Sequence, residues 1–235
     1  MAEAAVLEVS DVTAGYGELL TLRDVSLTVA AKSVTALLGP NGAGKTSLLN
    51  VVSGFLKPRS GSVALTGADI THRDPHQRVR AGLRHIPEGR GIFPSLNVRD
   101  NLRLHGRRGT EKDAIARAVD AFPFLADRMR QLAGTLSGGQ QQMLALARAY
   151  DPEARVILVD EASLGLAPVI VDEIFEFLTR VDIALVLVEQ YVTRALAMAD
   201  TAYILSGGSV SYAGPASELN SERVFEYYLG MTPPA

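Results

Sequence analysis

The chain has 235 residues, with 23 Lys and Arg against 26 Asp and Glu and a net charge of −3. That length fits one α/β domain, or one core carrying a smaller inserted subdomain, and the slightly negative balance gives no support for nucleic-acid binding. Apolar residues make up 47%, as in a soluble globular protein, and the absence of cysteine excludes disulfides, thiolate metal sites and a cysteine nucleophile.

The N-terminal Met1-Ala2-Glu3-Ala4-Ala5 has neither the basic start nor the apolar stretch of a signal peptide. From Val6 to about Val34, apolar and polar residues alternate, with turn signals at Gly15-Tyr16-Gly17. This predicts short strands of an antiparallel sheet. Val34 to Leu38 is an apolar run that ends at a glycine-rich loop, and Thr46 to Val52 continue with helical spacing. Gly61 to Gly67 reads as another strand of the small sheet. From about Pro87 to Tyr150 the pattern is mostly helical, interrupted at Gly91, Pro94, Gly106 and Gly109. Buried strands are expected at Val156 to Val159 and at Ile183 to Val188. Between them a helix starts near Pro168 and turns Ile170, Ile174, Phe177 and Leu178 toward a core. The run from Ile183 to Val188 is far short of the ~20 residues that span a bilayer. Strands alternating with helices imply a parallel sheet. Tyr203 to Leu205, the turn Ser206-Gly207-Gly208 and Val210 to Tyr212 read as a closing hairpin, and the tail from Met231 to Ala235 is expected to fray.

The glycine-rich loop is Gly39-Pro40-Asn41-Gly42-Ala43-Gly44-Lys45-Thr46, followed by Ser47, in the strand–loop–helix context of a phosphate-binding loop. Its glycines let backbone N–H groups curl around an anion. Lys45 supplies a point charge for β- and γ-phosphates, and the Thr46 hydroxyl is suited to Mg²⁺. Val156 to Val159 lead directly into a pair of carboxylates, Asp160 and Glu161. Further upstream, Leu136-Ser137-Gly138-Gly139-Gln140 precedes a helix expected from Gln141 to Tyr150. Ser137 is a good N-cap there, and Gly138 and Gly139 expose N–H groups at the positive helix end, so the stretch reads as a second anion site.

Together these motifs resemble the ATP-binding cassette (ABC) family, the nucleotide-driven engines of membrane transporters, over nearly the whole chain. The resemblance implies a P-loop NTPase α/β fold with a mostly parallel sheet and a small antiparallel β subdomain. It places the core in residues 1–86 and 151–235, with a helical subdomain at 87–150 that carries the signature pentapeptide. It implies that ATP and Mg²⁺ are bound: Tyr16 stacks on adenine, Gly39 to Ser47 hold the phosphates, Asp160 lies near the metal and Glu161 is the general base. Ser137, Gly138, Gly139 and Gln140 complete the site of a second ABC ATPase subunit, identical or different. Ser163-Leu164-Gly165-Leu166 occupies the family's dimer-contact loop.

Two positions depart from the common pattern. Glu88, in Ile86-Pro87-Glu88-Gly89-Arg90, stands where a glutamine usually reaches the metal, and Gln190 stands where most members carry a histidine that senses the γ-phosphate. All four histidines, His72, His76, His85 and His105, lie in the first half of the chain. Gln190 can donate a hydrogen bond to the γ-phosphate in that catalytic position, but it cannot take up a further proton or a positive charge at neutral pH. Pro87 to Arg90 with Phe93-Pro94-Ser95-Leu96, Ser163 to Pro168, Val188-Glu189-Gln190 and Tyr228-Leu229-Gly230 are similar to one subgroup, the ATP-binding subunits of branched-chain amino acid importers and their relatives for urea or short amides. That subgroup implies integral membrane permease partners, an indirect link to a solute-binding protein and a place on the cytoplasmic face of the membrane.

Ala162, where a proline usually follows the glutamate, and the short connection Arg180-Val181-Asp182-Ile183 are unusual even there. The arginines between Arg78 and Arg108, including Arg80, Arg84, Arg90, Arg99 and Arg103, read as a solvated basic face, with permease docking near anionic lipid as the functional alternative. Phe93 and Leu96 are read either as apolar contacts for a permease helix or as core. Two other functions remain open at this point: an ATP-dependent dimerisation switch with little hydrolysis, and a soluble cassette outside transport.

Overall fold

The computed structural model describes residues 4–89, 91–104 and 110–229. In chain order it runs β1 (Ala5–Tyr16), β2 (Leu19–Ala30), β3 (Val34–Leu38), α1 (Lys45–Ser53), β4 (Ser60–Leu65), β5 (Ala68–Asp69), α2 (Pro75–Arg80) and β6 (Leu83–Ile86). Then come α3 (Val98–Arg103), α4 (Glu111–Ala121), α5 (Gly138–Ala149), β7 (Val156–Asp160) and α6 (Pro168–Thr179). The chain ends with β8 (Ala184–Val188), α7 (Val192–Met198), β9 (Thr201–Ser206), β10 (Ser209–Pro215) and α8 (Ser221–Tyr228). Among the described residues no helix is long and apolar enough to cross a membrane. The expectations at Arg90, His105, Gly106, Arg108, Gly109, Gly230 and Met231 to Ala235 fall outside the described residues.

Two sheets form. A four-stranded antiparallel sheet has the order β2-β1-β4-β5, and a six-stranded sheet has the order β10-β9-β3-β8-β7-β6. In the second, β3 pairs in parallel with both β8 and β9, β7 pairs in parallel with β8, and β10 closes one edge as an antiparallel hairpin with β9. The alternation from Val6 onward resolves into two strands of 12 residues each, longer than the short strands expected, because Gly17-Glu18 turns the chain once and the ladder runs on. β7 and β8 are buried along their whole length, as apolar runs in a covered parallel sheet must be.

Spatial contact groups the chain into two compact units, each built from separate stretches of sequence. The first is Met1–His85, Arg155–Glu161 and Asp182–Ala235; the second is Ile86–Ala154 and Ala162–Val181. The first unit holds a core in which Leu22, Val25, Leu37, Leu48, Val156 and Val188 are fully enclosed. The second builds its own centre from Phe122, Phe177 and Tyr150, with ring centroids 4.8 Å apart for the first pair and 5.6 Å for Tyr150 on Phe177. The first pair is tilted by 44° and the second is edge-on at 89°, the latter a favoured aromatic geometry.

The solvated basic face is corrected at two of its arginines. Arg78 is 1% exposed, and its guanidinium donates to the carbonyls of Val51 and Val52 (2.7 Å each), Thr71 (2.7 Å) and Arg73 (2.9 Å). It thereby satisfies the carbonyl end of α1, where a helix dipole favours positive charge. Arg84 is also buried and donates to the carbonyls of Val79 and Leu83. Arg103 stays on the surface, 3.9 Å from Asp100. Phe93 is 47% exposed, beneath the Arg148 guanidinium at 5.3 Å, and Leu96 is half-buried. The short link to β8 is tied by an exposed ion pair of 2.5 Å between Asp182 and Lys32.

Candidate nucleotide site

Parallel register brings the carboxyl ends of three strands into line: Leu37 of β3 lies opposite Val188 of β8, which lies opposite Asp160 of β7. The loops leaving these ends therefore share one edge of the sheet, the edge where open parallel sheets bind ligands. They carry Gly39 to Gly44, Glu161 and Gln190.

The loop after β3 turns on glycines. Gly42 and Gly44 have φ of 81° and 107°, values that a Cβ makes costly. Gly44 is the N-cap of α1; no side chain caps this helix and no acid lies in its first turn. The positive helix end is left for an anion, with Asn41, Gly42 and the Thr46 hydroxyl open to solvent and Ala43 and Ser47 packed inside. Lys45 is only 7% exposed, and its ammonium donates to the carbonyls of Gly39 (2.8 Å) and Pro40 (3.1 Å). Burial lowers its pKa, opposed by the nearby carboxylates of Glu161 and Asp160.

Asp160 closes β7 with 1% exposure. Glu161 then takes a left-handed backbone, φ 49°, while its N–H donates to the Val188 carbonyl at 2.9 Å. That conformation costs a non-glycine residue about 1 kcal/mol and turns the chain sharply off the strand end. The Glu161 carboxylate accepts a hydrogen bond of 3.0 Å from the Gln190 amide. Tyr16 ends β1 half-exposed, its hydroxyl accepting from Asn50 of α1 at 3.3 Å. The first unit thus holds Tyr16, Gly39 to Ser47, Asp160, Glu161 and Gln190 together. Asp160 and Thr46 offer the hard oxygen donors that suit Mg²⁺. Among the described residues no three acidic or histidine side chains gather as a metal cage, so an ion held there would complete its shell with phosphate oxygens and water.

The remaining predicted residues belong to the second unit. Glu88 is exposed just beyond the end of β6. Ser137 caps α5 in a full capping box: its Oγ accepts from the Gln140 N–H (3.3 Å) and the Gln140 side chain accepts from the Ser137 N–H (3.1 Å). That box starts the helix at Gly138, three residues before the expected Gln141. Gly139 is buried, and a Cβ there would lie 2.5 Å from Cγ2 of Ile170, so its lack of a side chain lets the start of α6 pack against α5.

A sequence profile of the ABC transporter family matches residues 22–164. The chain belongs to that family. As an ABC protein it is an ATPase. It is 40% identical to the probable branched-chain amino acid transport ATP-binding protein LivF of Archaeoglobus fulgidus, over 94% of this chain and 97% of that one. It is 38% identical to the high-affinity branched-chain amino acid transport ATP-binding protein BraG of Pseudomonas aeruginosa, over 96% of this chain and 100% of the relative. In fold it matches the structure of an ATP-binding subunit of an ABC transporter, with a TM-score of 0.81, 24% identity, and 98% and 95% of the two chains covered. This ABC chain also holds a contact at its phosphate loop that sequence reasoning missed: the Gly39 N–H donates to the Tyr228 hydroxyl of α8 at 3.0 Å. The only signal was Tyr228-Leu229-Gly230, read as a subgroup mark with no role.

Proposed function

We propose that this chain is the ATP-hydrolysing subunit of an importer for branched-chain amino acids or related small solutes. It works on the cytoplasmic face of the membrane, paired with a second cassette beneath integral permeases that a solute-binding protein supplies. The likeness to LivF and BraG over nearly the full chain supports the solute class.

The hydrogen bond from Gln190 to Glu161 carries the chemical part. It fixes the orientation of the carboxylate beside the phosphate loop, as a base that orients water for in-line attack must be held. Tyr16 stacks on adenine; Lys45 and the N–H groups from Gly39 to Ser47 hold the phosphates. Thr46 and Asp160 would hold Mg²⁺, whose charge, when bound, neutralises phosphate oxygens. Ser137, Gly138, Gly139 and Gln140 serve the partner's nucleotide, and the exposed Leu164, Val169 and Tyr191 give the pair apolar contact area.

The test is Mg²⁺-ATPase turnover of the assembled transporter. Glu161→Gln is expected to lower kcat by about 100-fold or more while ATP binding persists. Equal turnover in the two proteins would overturn the assignment of the base and leave an ATP-driven association switch. Isolation from membranes in mild detergent is expected to bring a permease and a second cassette with the chain; isolation without either would sink the transport reading.

A further inference from the structure

The last helix, α8, reaches the phosphate loop. It is anchored along its length. Asn220 caps it by accepting from the Arg223 N–H (2.8 Å), Val224 is 1% exposed, the Tyr227 ring meets Tyr212 at 5.5 Å, and the Ser221 hydroxyl pairs with that of Thr193 on α7 (3.0 Å). An anchored helix holds its last side chain in a fixed place. That side chain is Tyr228, and its hydroxyl accepts the Gly39 N–H at 3.0 Å. Burial raises the pKa of this phenol, so the hydroxyl stays protonated across the neutral range.

Gly39 is the residue on which the chain leaves β3 for the loop, and it is confined from three sides. Its N–H is bonded to Tyr228 and its carbonyl accepts from the Lys45 ammonium at 2.8 Å. Its Cα lies so close to β9 that an added Cβ would stand 2.4 Å from the Leu205 carbonyl oxygen. Of the three, the Lys45 bond is the one a phosphate group competes for, since the ammonium's three donors are shared between the loop's carbonyls and the ligand. The backbone contact cannot adapt. The Tyr228 bond is the side-chain restraint that remains when Lys45 turns to phosphate.

We infer that Tyr228 is a positioning residue for ATP binding: through the Gly39 amide it holds the phosphate loop in the shape that receives the nucleotide. Preorganisation of this kind acts on affinity, because a loop already in its bound shape loses less freedom on binding. It adds nothing to the water-activating chemistry at Glu161. The inference needs ATP binding alone and is independent of solute and partner.

The test compares the full-length wild-type chain with Tyr228→Phe, which removes one oxygen and keeps the ring packing. Calorimetric titration with ATP and Mg²⁺ is expected to give a dissociation constant weaker by about 3- to 10-fold in the variant, the range of one neutral hydrogen bond. In turnover assays KM is expected to rise by the same factor, with kcat within about 2-fold. Tyr227→Phe, one residue away on the same helix, is expected to match wild type. The Gly39 amide resonance is expected to move in Tyr228→Phe and to stay in Tyr227→Phe. In wild-type protein the same amide is expected to resist hydrogen exchange, a measurement that needs no variant. Equal ATP affinity in Tyr228→Phe and wild type overturns the inference. So does lost affinity with an unmoved Gly39 resonance, or a wild-type Gly39 amide that exchanges as fast as an open loop.

Discussion

Two glycine-rich helix starts in this molecule, both proposed above as anion sites, are finished in opposite ways. The start of α1 follows a left-handed glycine and has no side-chain cap. The start of α5 is closed by a reciprocal capping box between Ser137 and Gln140. The first draws on no side chain of the protein for its cap. The second is a stable helix end by itself, so whatever it offers to a nucleotide is added to a surface that already holds its shape. On the proposed function the open start would take its acceptor from this chain's own nucleotide, and the capped start would meet a partner's nucleotide with its shape already set.

Gly44→Ala is the hardest blow to this contrast. Its φ is 107°, and a Cβ would stand 2.7 Å from the Thr21 carbonyl oxygen and 2.8 Å from Cδ2 of Leu22. A loss of about 3 kcal/mol in urea denaturation is expected, together with loss of ATP binding. A stable, ATP-binding variant would mean that the open start tolerates ordinary backbone.

A pH experiment asks whether the first unit keeps other polar groups unfinished. Both ring nitrogens of His85 are buried without a hydrogen-bond partner, and burial lowers its pKa from 6.5 to about 4. The folded state thus binds the proton more weakly than the unfolded chain, so this contribution is complete above the unfolded value and is lost as pH falls. Stability is expected to drop by up to about 3 kcal/mol from this group between pH 6.5 and about 4. His85→Leu should flatten that part of the stability curve; an unchanged slope would refute the assignment.

The closed start is probed by two milder changes. Gly139→Ala forces a Cβ against Ile170 and is expected to cost about 2 kcal/mol, with part recovered in the double variant Gly139→Ala, Ile170→Val. Independent, additive effects in that cycle would deny the contact. Ser137→Ala removes the cap and is expected to cost about 1 kcal/mol by thermal unfolding. If Ser137→Ala left stability unchanged, α5 would be no better finished than α1.

The phosphate loop and the Asp160-Glu161 pair were legible in the sequence because their chemistry fixes residue types at fixed spacing next to a strand. The start of α6 at Pro168 and the hairpin of β9 and β10 were legible from turn and cap chemistry. Strand β6 was missed: in Leu83-Arg84-His85-Ile86 two polar residues interrupt the apolar signal, and only tertiary packing buries Arg84 and encloses the ring nitrogens of His85. The early start of α5 was missed because Gly138 and Gly139 are poor helix formers, and the capping box overrides that preference. Arg78 looked like surface charge because nothing local announces that its partners are the carbonyls at the end of another helix. The bond between Gly39 and Tyr228 joins residues 189 apart in sequence, beyond the reach of any periodicity.

Arg78 also bears on the chain's lack of cysteine. Its guanidinium ties the tail of α1 to the stretch from Thr71 to Arg73 through bonds to four separate carbonyls. A guanidinium stays protonated at any working pH, and no reductant cleaves it. The phosphate-loop helix is therefore stapled at its far end by a clasp indifferent to redox state.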